Sequence, residues 1–140
     1  MNSKVNVVFL FSLLSLNVSA SERWAIDCVS GKGGIIIDQK NADIVVNSNQ
    51  IVISTRVVRN GNKMSFFLKG PADLGRGGMM LNWDDFSIDK SIADAEMNGN
   101  NINLSWKGFF EKSAFKYVWV SESEFTPSHN KNHVTLMRCK

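Results

Sequence analysis

Histidine, cysteine and proline are scarce in this chain of 140 residues, with two of each. The two histidines, His129 and His133, sit in Pro127-Ser128-His129-Asn130-Lys131-Asn132-His133. That segment is polar, follows a proline and lacks the Glu of H-E-x-x-H, so it is expected to be a solvated loop rather than a zinc site. A G-x-S-x-G nucleophile elbow is missing as well. Gly31-Lys32-Gly33-Gly34 does not meet the P-loop spacing and is expected to form a turn. Asp84, Asp85 and Asp89 gather around Phe86, but the D-x-[DN]-x-[DN]-G calcium loop is absent. These absences exclude the common enzyme signatures, and neither catalysis nor a metal or other cofactor is expected. The lack of any repeat of 20 to 50 residues excludes solenoids and propellers. Charge of one sign is also lacking: 16 Lys+Arg against 13 Asp+Glu give a formal charge of +3, and 44% of residues are hydrophobic. That composition fits neither a disordered tail nor the strongly basic surface of a nucleic-acid binder.

Only one apolar run is long, Val5 to Leu16, and it is shorter than the roughly 20 residues a membrane helix needs. Lys4 precedes it and Val18-Ser19-Ala20 follows, the pattern of a secretory signal over residues 1–20 that is cleaved before Ser21. No cysteine stands at the cut to be acylated. A single domain, residues 21–140, is therefore expected in the periplasm with no membrane insertion, and its formal charge without Lys4 is +2. In that oxidising compartment Cys28 and Cys139 are expected to pair. Closing a loop of about 110 residues contributes on the order of 4 to 5 kcal/mol and would fasten the first strand to the last.

What the chain has in quantity is short β-branched and aromatic segments. Trp24 to Val29, Ile35 to Ile37, Ile44 to Val46, Ile51 onward to Asn60-Gly61, and Met64 to Lys69 have strand character. Gly70-Pro71 is expected to end the last of these, with Met64, Phe66 and Leu68 facing inward. Met79 to Trp83, Ile92 to Met97, Ile102 to Phe109, Phe115 to Val120 and His133 to Cys139 complete the set. Asn60-Gly61 suggests a type I′ hairpin, and Asn98-Gly99-Asn100-Asn101 a second hairpin. Ile102, Leu104 and Trp106 alternate with Asn103, Ser105 and Lys107, giving one buried and one wet face. The expected fold is all-β: an antiparallel barrel or sandwich of about 8–10 short strands, with the Cys28–Cys139 disulfide and at most one short helix, for which Ser87 to Ala95 is the candidate.

Charge is segregated locally. Arg56, Arg59, Lys63, Lys69 and Arg76 oppose only Asp73 in one stretch, whereas Asp84, Asp85, Asp89, Asp94 and Glu96 oppose only Lys90 in the next. Most of the aromatics belong in a core. Trp83 beside Asp84, Asp85 and Phe86 instead suggests an aromatic anchor rimmed by acids, the pattern of a protein-binding hot spot. Arg76 in Gly75-Arg76-Gly77-Gly78 is a second candidate contact. The partner-binding candidates are thus Arg76, Trp83, Asp84, Asp85 and Phe86.

A secretory leader, Trp24-Ala25-Ile26-Asp27-Cys28 near the start, hairpins throughout, the aromatic strand around Tyr117-Val118-Trp119 and the late Cys139 resemble the layout of small bacterial periplasmic proteins that neutralise cell-wall hydrolases. Among these are the C-type lysozyme inhibitors, with a small β-barrel and a cysteine near each end; their S-G-x-x-Y segment does not occur here. The chain also resembles the periplasmic immunity proteins that protect a bacterium from envelope-targeting toxins delivered by type VI secretion. The resemblance implies a protein that binds and neutralises a partner enzyme, a peptidoglycan-degrading toxin or cell-wall hydrolase. The alternative from the barrel alone is a lipocalin-like carrier of a small apolar ligand. A hydrolase using His129 or His133 comes third.

Overall fold

A computed structural model describes residues 21–128 and 131–140; the expected leader and His129 lie outside the described residues. The described residues form ten strands: β1 Glu22–Ala25, β2 Ile35–Asp38, β3 Asn41–Asn47, β4 Ile51–Asn60, β5 Lys63–Leu74, β6 Ser91–Asn98, β7 Asn101–Trp106, β8 Phe109–Glu111, β9 Lys116–Val118 and β10 His133–Cys139. Eight form a closed antiparallel barrel in the order β1-β10-β7-β6-β5-β4-β3-β2, and β8-β9 make a separate two-stranded sheet. The choice between sandwich and barrel is thereby settled as a barrel.

Alternation explains the pairing. Along β7, Ile102, Leu104 and Trp106 are buried while Asn101, Asn103 and Ser105 face water; along β5, Met64, Phe66 and Leu68 point inward. A barrel of eight strands encloses a space that large side chains can fill. Here Trp24, Ile35, Ile44, Ile53, Phe66, Leu104 and Trp106 fill it, each fully buried. Phe109 and Phe125, from segments that follow β7, pack on Trp106 at 5.6 and 5.7 Å between ring centroids. Glu124 ties that second segment down, accepting hydrogen bonds from Gly33 N, Ser48 N and Ser48 Oγ, each at 2.8 Å.

One end of the barrel is made of two-residue turns. Gly61-Asn62 joins β4 to β5 and Gly99-Asn100 joins β6 to β7. Positive φ falls on Gly61 (64°) but not on Asn62, so the turn follows the type II′ pattern rather than the expected type I′.

Four expectations are corrected. β1 stops at Ala25, because the next residues form the turn Asp27–Lys32, which brings Cys28 back against the end of β10. Gly70-Pro71 does not end β5, which runs to Leu74 with register shifts against β4 around Ile53 and Thr55. Pro71 is tolerated there because β5 leaves β6 at Phe67, so its later half is an edge where a missing N–H breaks no ladder on the open side. Met79 to Trp83 is no strand: Arg76–Met79 is a single helical turn, α1, and Trp83–Asp85 is a 3-10 turn. Ser87 to Ala95 holds no helix either, because from Ser91 the chain pairs with both β5 and β7.

Cys28 and Cys139 are disulfide-bonded across a sequence separation of 111 residues, with Cα atoms 5.5 Å apart. The bond lies where β1 pairs with β10, so it guards the seam at which the barrel closes. Replacing both cysteines by serine should lower unfolding free energy by about 4 to 5 kcal/mol in denaturant titrations. A loss under about 1 kcal/mol would show that the seam holds without it.

Candidate functional site

The end opposite the tight turns carries the long connections, and the longest joins β5 to β6. Its position depends on close backbone approach. A Cβ at Gly78 would collide with the Gln50 carbonyl oxygen, so only glycine lets α1 lie against the β3–β4 turn, where the Gln50 side chain accepts the Gly77 N–H. Beyond α1 the chain turns on Trp83. The indole Nε1 donates to Gly78 O at 2.9 Å, and the ring meets Phe86 and Phe109 edge-on at 5.3 and 5.2 Å. Phe86 stacks on Phe109 at 5.0 Å and is only 4% exposed.

A second loop is bolted to the first. Asp85 accepts from Ser113 N and Ser113 Oγ, and its carbonyl accepts from Lys112 N at 2.8 Å. Ser87 N donates to Phe110 O at 2.8 Å. Lys90 lies 4.9 Å over the Phe110 ring, which also touches Phe115 and Tyr117, and the Tyr117 hydroxyl donates to Ser91 O. The β5–β6 connection and the β8–β9 hairpin therefore form one braced unit.

All five sequence candidates fall on the β5–β6 connection, in different settings. Arg76 and Asp84 are exposed. Asp85 is engaged as a brace, Trp83 is half-buried, and Phe86 belongs to the core. The exposed apolar side chains of this unit are others: Met79 (66%), Met80 (81%), Ile88 (57%) and Phe115 (77%). Sequence reasoning placed Met79 and Phe115 in strands, so their exposure escaped it. The available signal was Gly77-Gly78-Met79-Met80, two large apolar residues directly after glycines. Phe115 also holds a positive φ of 55°, a conformation bulky residues rarely adopt, and it does so at the tip of the β8–β9 hairpin.

On the outer sheet face, Ser65, Asp94, Ser105 and His133 are successive cross-strand neighbours. The hydroxyl of Ser105 thus lies between acid and imidazole, whereas a triad needs the imidazole between hydroxyl and acid. Asp94 is instead held by Ser65 Oγ at 2.8 Å and Lys107 Nζ at 3.0 Å, while Lys107 also donates to Ser91 Oγ. Partial burial pushes its carboxyl upward, but those hydrogen bonds and the Lys107 charge outweigh burial and leave it below the ordinary range. The polarised stretches meet here too, since Lys63 of β5 pairs with Glu96 of β6. Among the described residues no three His, Cys, Asp or Glu side chains gather closely enough to hold a metal ion, and no helix is long and apolar enough to cross a membrane. In comparisons with protein families, with curated proteins and with solved structures, nothing matches this chain.

Two expectations follow. A depressed carboxyl stabilises the fold above its unfolded value near 4, and that stability is lost as pH falls through the lower folded value. Asp94→Asn should therefore lower stability at pH 7 and flatten the decline that sets in as pH falls below the unfolded value; an unchanged acid profile would show that the network contributes nothing. Phe115→Gly removes the left-handed strain together with an edge-to-face contact of about 0.5 to 1.5 kcal/mol, so the two effects offset and stability should stay within about 1 kcal/mol of the parent. A larger loss would make Phe115 a structural residue.

Proposed function

We propose that this protein is a periplasmic binder that neutralises a partner enzyme, an immunity protein against a peptidoglycan-degrading toxin or an inhibitor of a cell-wall hydrolase, and not itself an enzyme. The observation that carries the reading is the braced loop end, where Met79, Met80, Ile88 and Phe115 stand exposed on backbone pinned by Asp85, Trp83 and Ser87. Large apolar side chains held rigidly in water are anchors that bind without much loss of conformational freedom. Arg76 and Asp84 supply charge at the rim, where it guides encounter more than it adds affinity. A filled barrel interior supports surface recognition over enclosure of a ligand, because a carrier needs a cavity that Trp24, Phe66 and Trp106 already occupy.

The test begins with the purified, oxidised protein and cell-wall hydrolases or toxins encoded beside it. Stoichiometric capture of one such enzyme, with its hydrolysis of peptidoglycan blocked at equimolar protein, is the expected outcome. Met80→Asp should weaken that inhibition at least tenfold, the effect of removing one anchor worth 1.4 kcal/mol or more, and Asp84→Lys should change the association rate and its salt dependence. Inhibition that survives both substitutions unchanged would move the contact away from this end. Failure of every envelope hydrolase to bind would overturn the reading.

A further inference from the structure

A groove of about 610 Å³ lies at the opposite end of the barrel from the exposed loops, lined by Gln39, Lys40, Asn41, Arg56, Val57, Val58 and Arg59. Its walls follow from the register. Asn41 of β3, Arg56 of β4 and Phe67 of β5 are cross-strand neighbours on the outer face. The Arg56 guanidinium lies over the Phe67 ring, 4.5 Å from its centroid. Lys69, two residues further along β5, reaches back in the other direction, and its Nζ donates to Asn41 Oδ1 at 3.1 Å. The two side chains therefore cross over the same stretch of sheet, each positioned by an uncharged partner.

Two positive charges placed side by side repel each other unless an anion joins them. Among the described residues the one salt bridge is Lys107–Asp94, on another part of the sheet, so no carboxylate pairs with Arg56, Lys69, Lys40 or Arg59. Asp38 and Asp43 line an adjoining groove with Ser21 and Ile36, and neither forms a salt bridge with these cations. The turn that carries Lys40 is itself unusual, since Gln39 holds φ at 55° where glycine is the common choice. A strained turn presenting a cation, a planar guanidinium oriented on a ring and an ammonium steered by an amide together make a recognition surface for oxyanions.

We propose that this groove binds a phosphate-bearing ligand. One carboxylate would be satisfied by a single one of these cations. Three cations that line the groove, Lys40, Arg56 and Arg59, with Lys69 beside them on Asn41, match a group with more than one unit of charge and several terminal oxygens, Arg56 offering the bidentate fork and Lys40 and Lys69 acting as point charges. Val57 and Val58 line the same groove with apolar surface, and Val58 is partly exposed, so the phosphate's glycerol or sugar carrier has a wall to rest on. The phosphate can be a monoester carried by a lipid, as in phosphatidic acid, or a free phosphate monoester; each presents a terminal phosphate with more than one unit of charge and three free oxygens. This site is independent of the loop end and of any enzyme bound there.

Titration of glycerol phosphate into protein beginning at Ser21, which contains every strand of the barrel, followed by amide chemical shifts, should move signals from residues 39–41 and 56–59. Glucuronate, a carboxylate of similar size, should bind at least several-fold more weakly. Arg56→Gln and Lys69→Met should each weaken glycerol phosphate about tenfold, with Arg56→Lys intermediate, and raising salt from 50 to 200 mM should weaken it further. Sedimentation with phosphatidic acid vesicles, against phosphatidylcholine controls, separates the sources. Pelleting with the former that Arg56→Gln abolishes identifies a lipid headgroup, and binding of the soluble ester without pelleting identifies a free one. The proposal is overturned if neither probe binds, if glucuronate binds equally well, or if the substitutions leave binding unchanged.

Discussion

The antiparallel seam between β1 and β10 is the constraint on which the rest of the molecule depends. Arg23, Trp24 and Ala25 pair with Cys139, Arg138 and Met137, and this short ladder closes an eight-stranded sheet into a barrel. It is made by the first and last strands, so its formation closes the longest loop among the described residues. A four-residue strand supplies few hydrogen bonds for that task. The Cys28–Cys139 bond compensates, because it restricts the unfolded chain over nearly its whole described length. With the seam closed, Trp24 is sealed on the inside, where it joins Ile35 and Ile44 in the core.

Closure also divides the barrel into two unlike ends. At one, two-residue turns hold the strands in tight register, and the outward side chains beside them are placed by the sheet itself. At the other, β5 leaves β6 at Phe67 and continues to Leu74 paired with β4 alone, so the chain must return to Ser91 through a long connection. A connection of that length would ordinarily be mobile. Here Trp83 and Phe86 insert into the aromatic group around Phe109, and Asp85 binds the β8–β9 hairpin from outside. The aromatic residues thus serve as internal fasteners, and the exposed apolar surface falls to their neighbours Met79, Met80 and Ile88.

The division explains which parts of the structure were legible from residues alone. Ile102 to Trp106 alternates cleanly because one face is core and the other water, and Met64 to Leu68 does so for the same reason. The cysteine pairing followed from there being only two of them in a chain whose first residues read as a secretory signal. What period and propensity do not encode is where a strand loses a neighbour. Pro71 looks like a terminator until β6 is seen to have departed four residues earlier. Met79 to Trp83 has the composition of a strand, yet it has no partner to pair with and its indole is drawn back to the Gly78 carbonyl. The candidate segment Trp83 to Phe86 lies on the β5–β6 connection, and the burial of Phe86 depends on Phe109, a contact 23 residues downstream that no local pattern reports.

Rigidity at the loop end bears directly on how tightly such a surface can hold a partner. Ordering a flexible loop on binding costs about 0.5 to 1.5 kcal/mol for each side chain immobilised, and more for backbone. In this protein most of that ordering is done during folding: the β5–β6 connection is bonded to Gln50 on one flank and to Ser113 and Phe110 on the other. The left-handed backbone at Phe115 is the part folding alone does not favour, costing on the order of 1 to 3 kcal/mol. Such a cost persists only where the surrounding structure imposes it, and the stack of Phe110 against Tyr117 and Lys90 supplies that surrounding. The exposed ring is therefore held out into solvent by the same contacts that stabilise the hairpin, so a partner would meet it already in the bound arrangement.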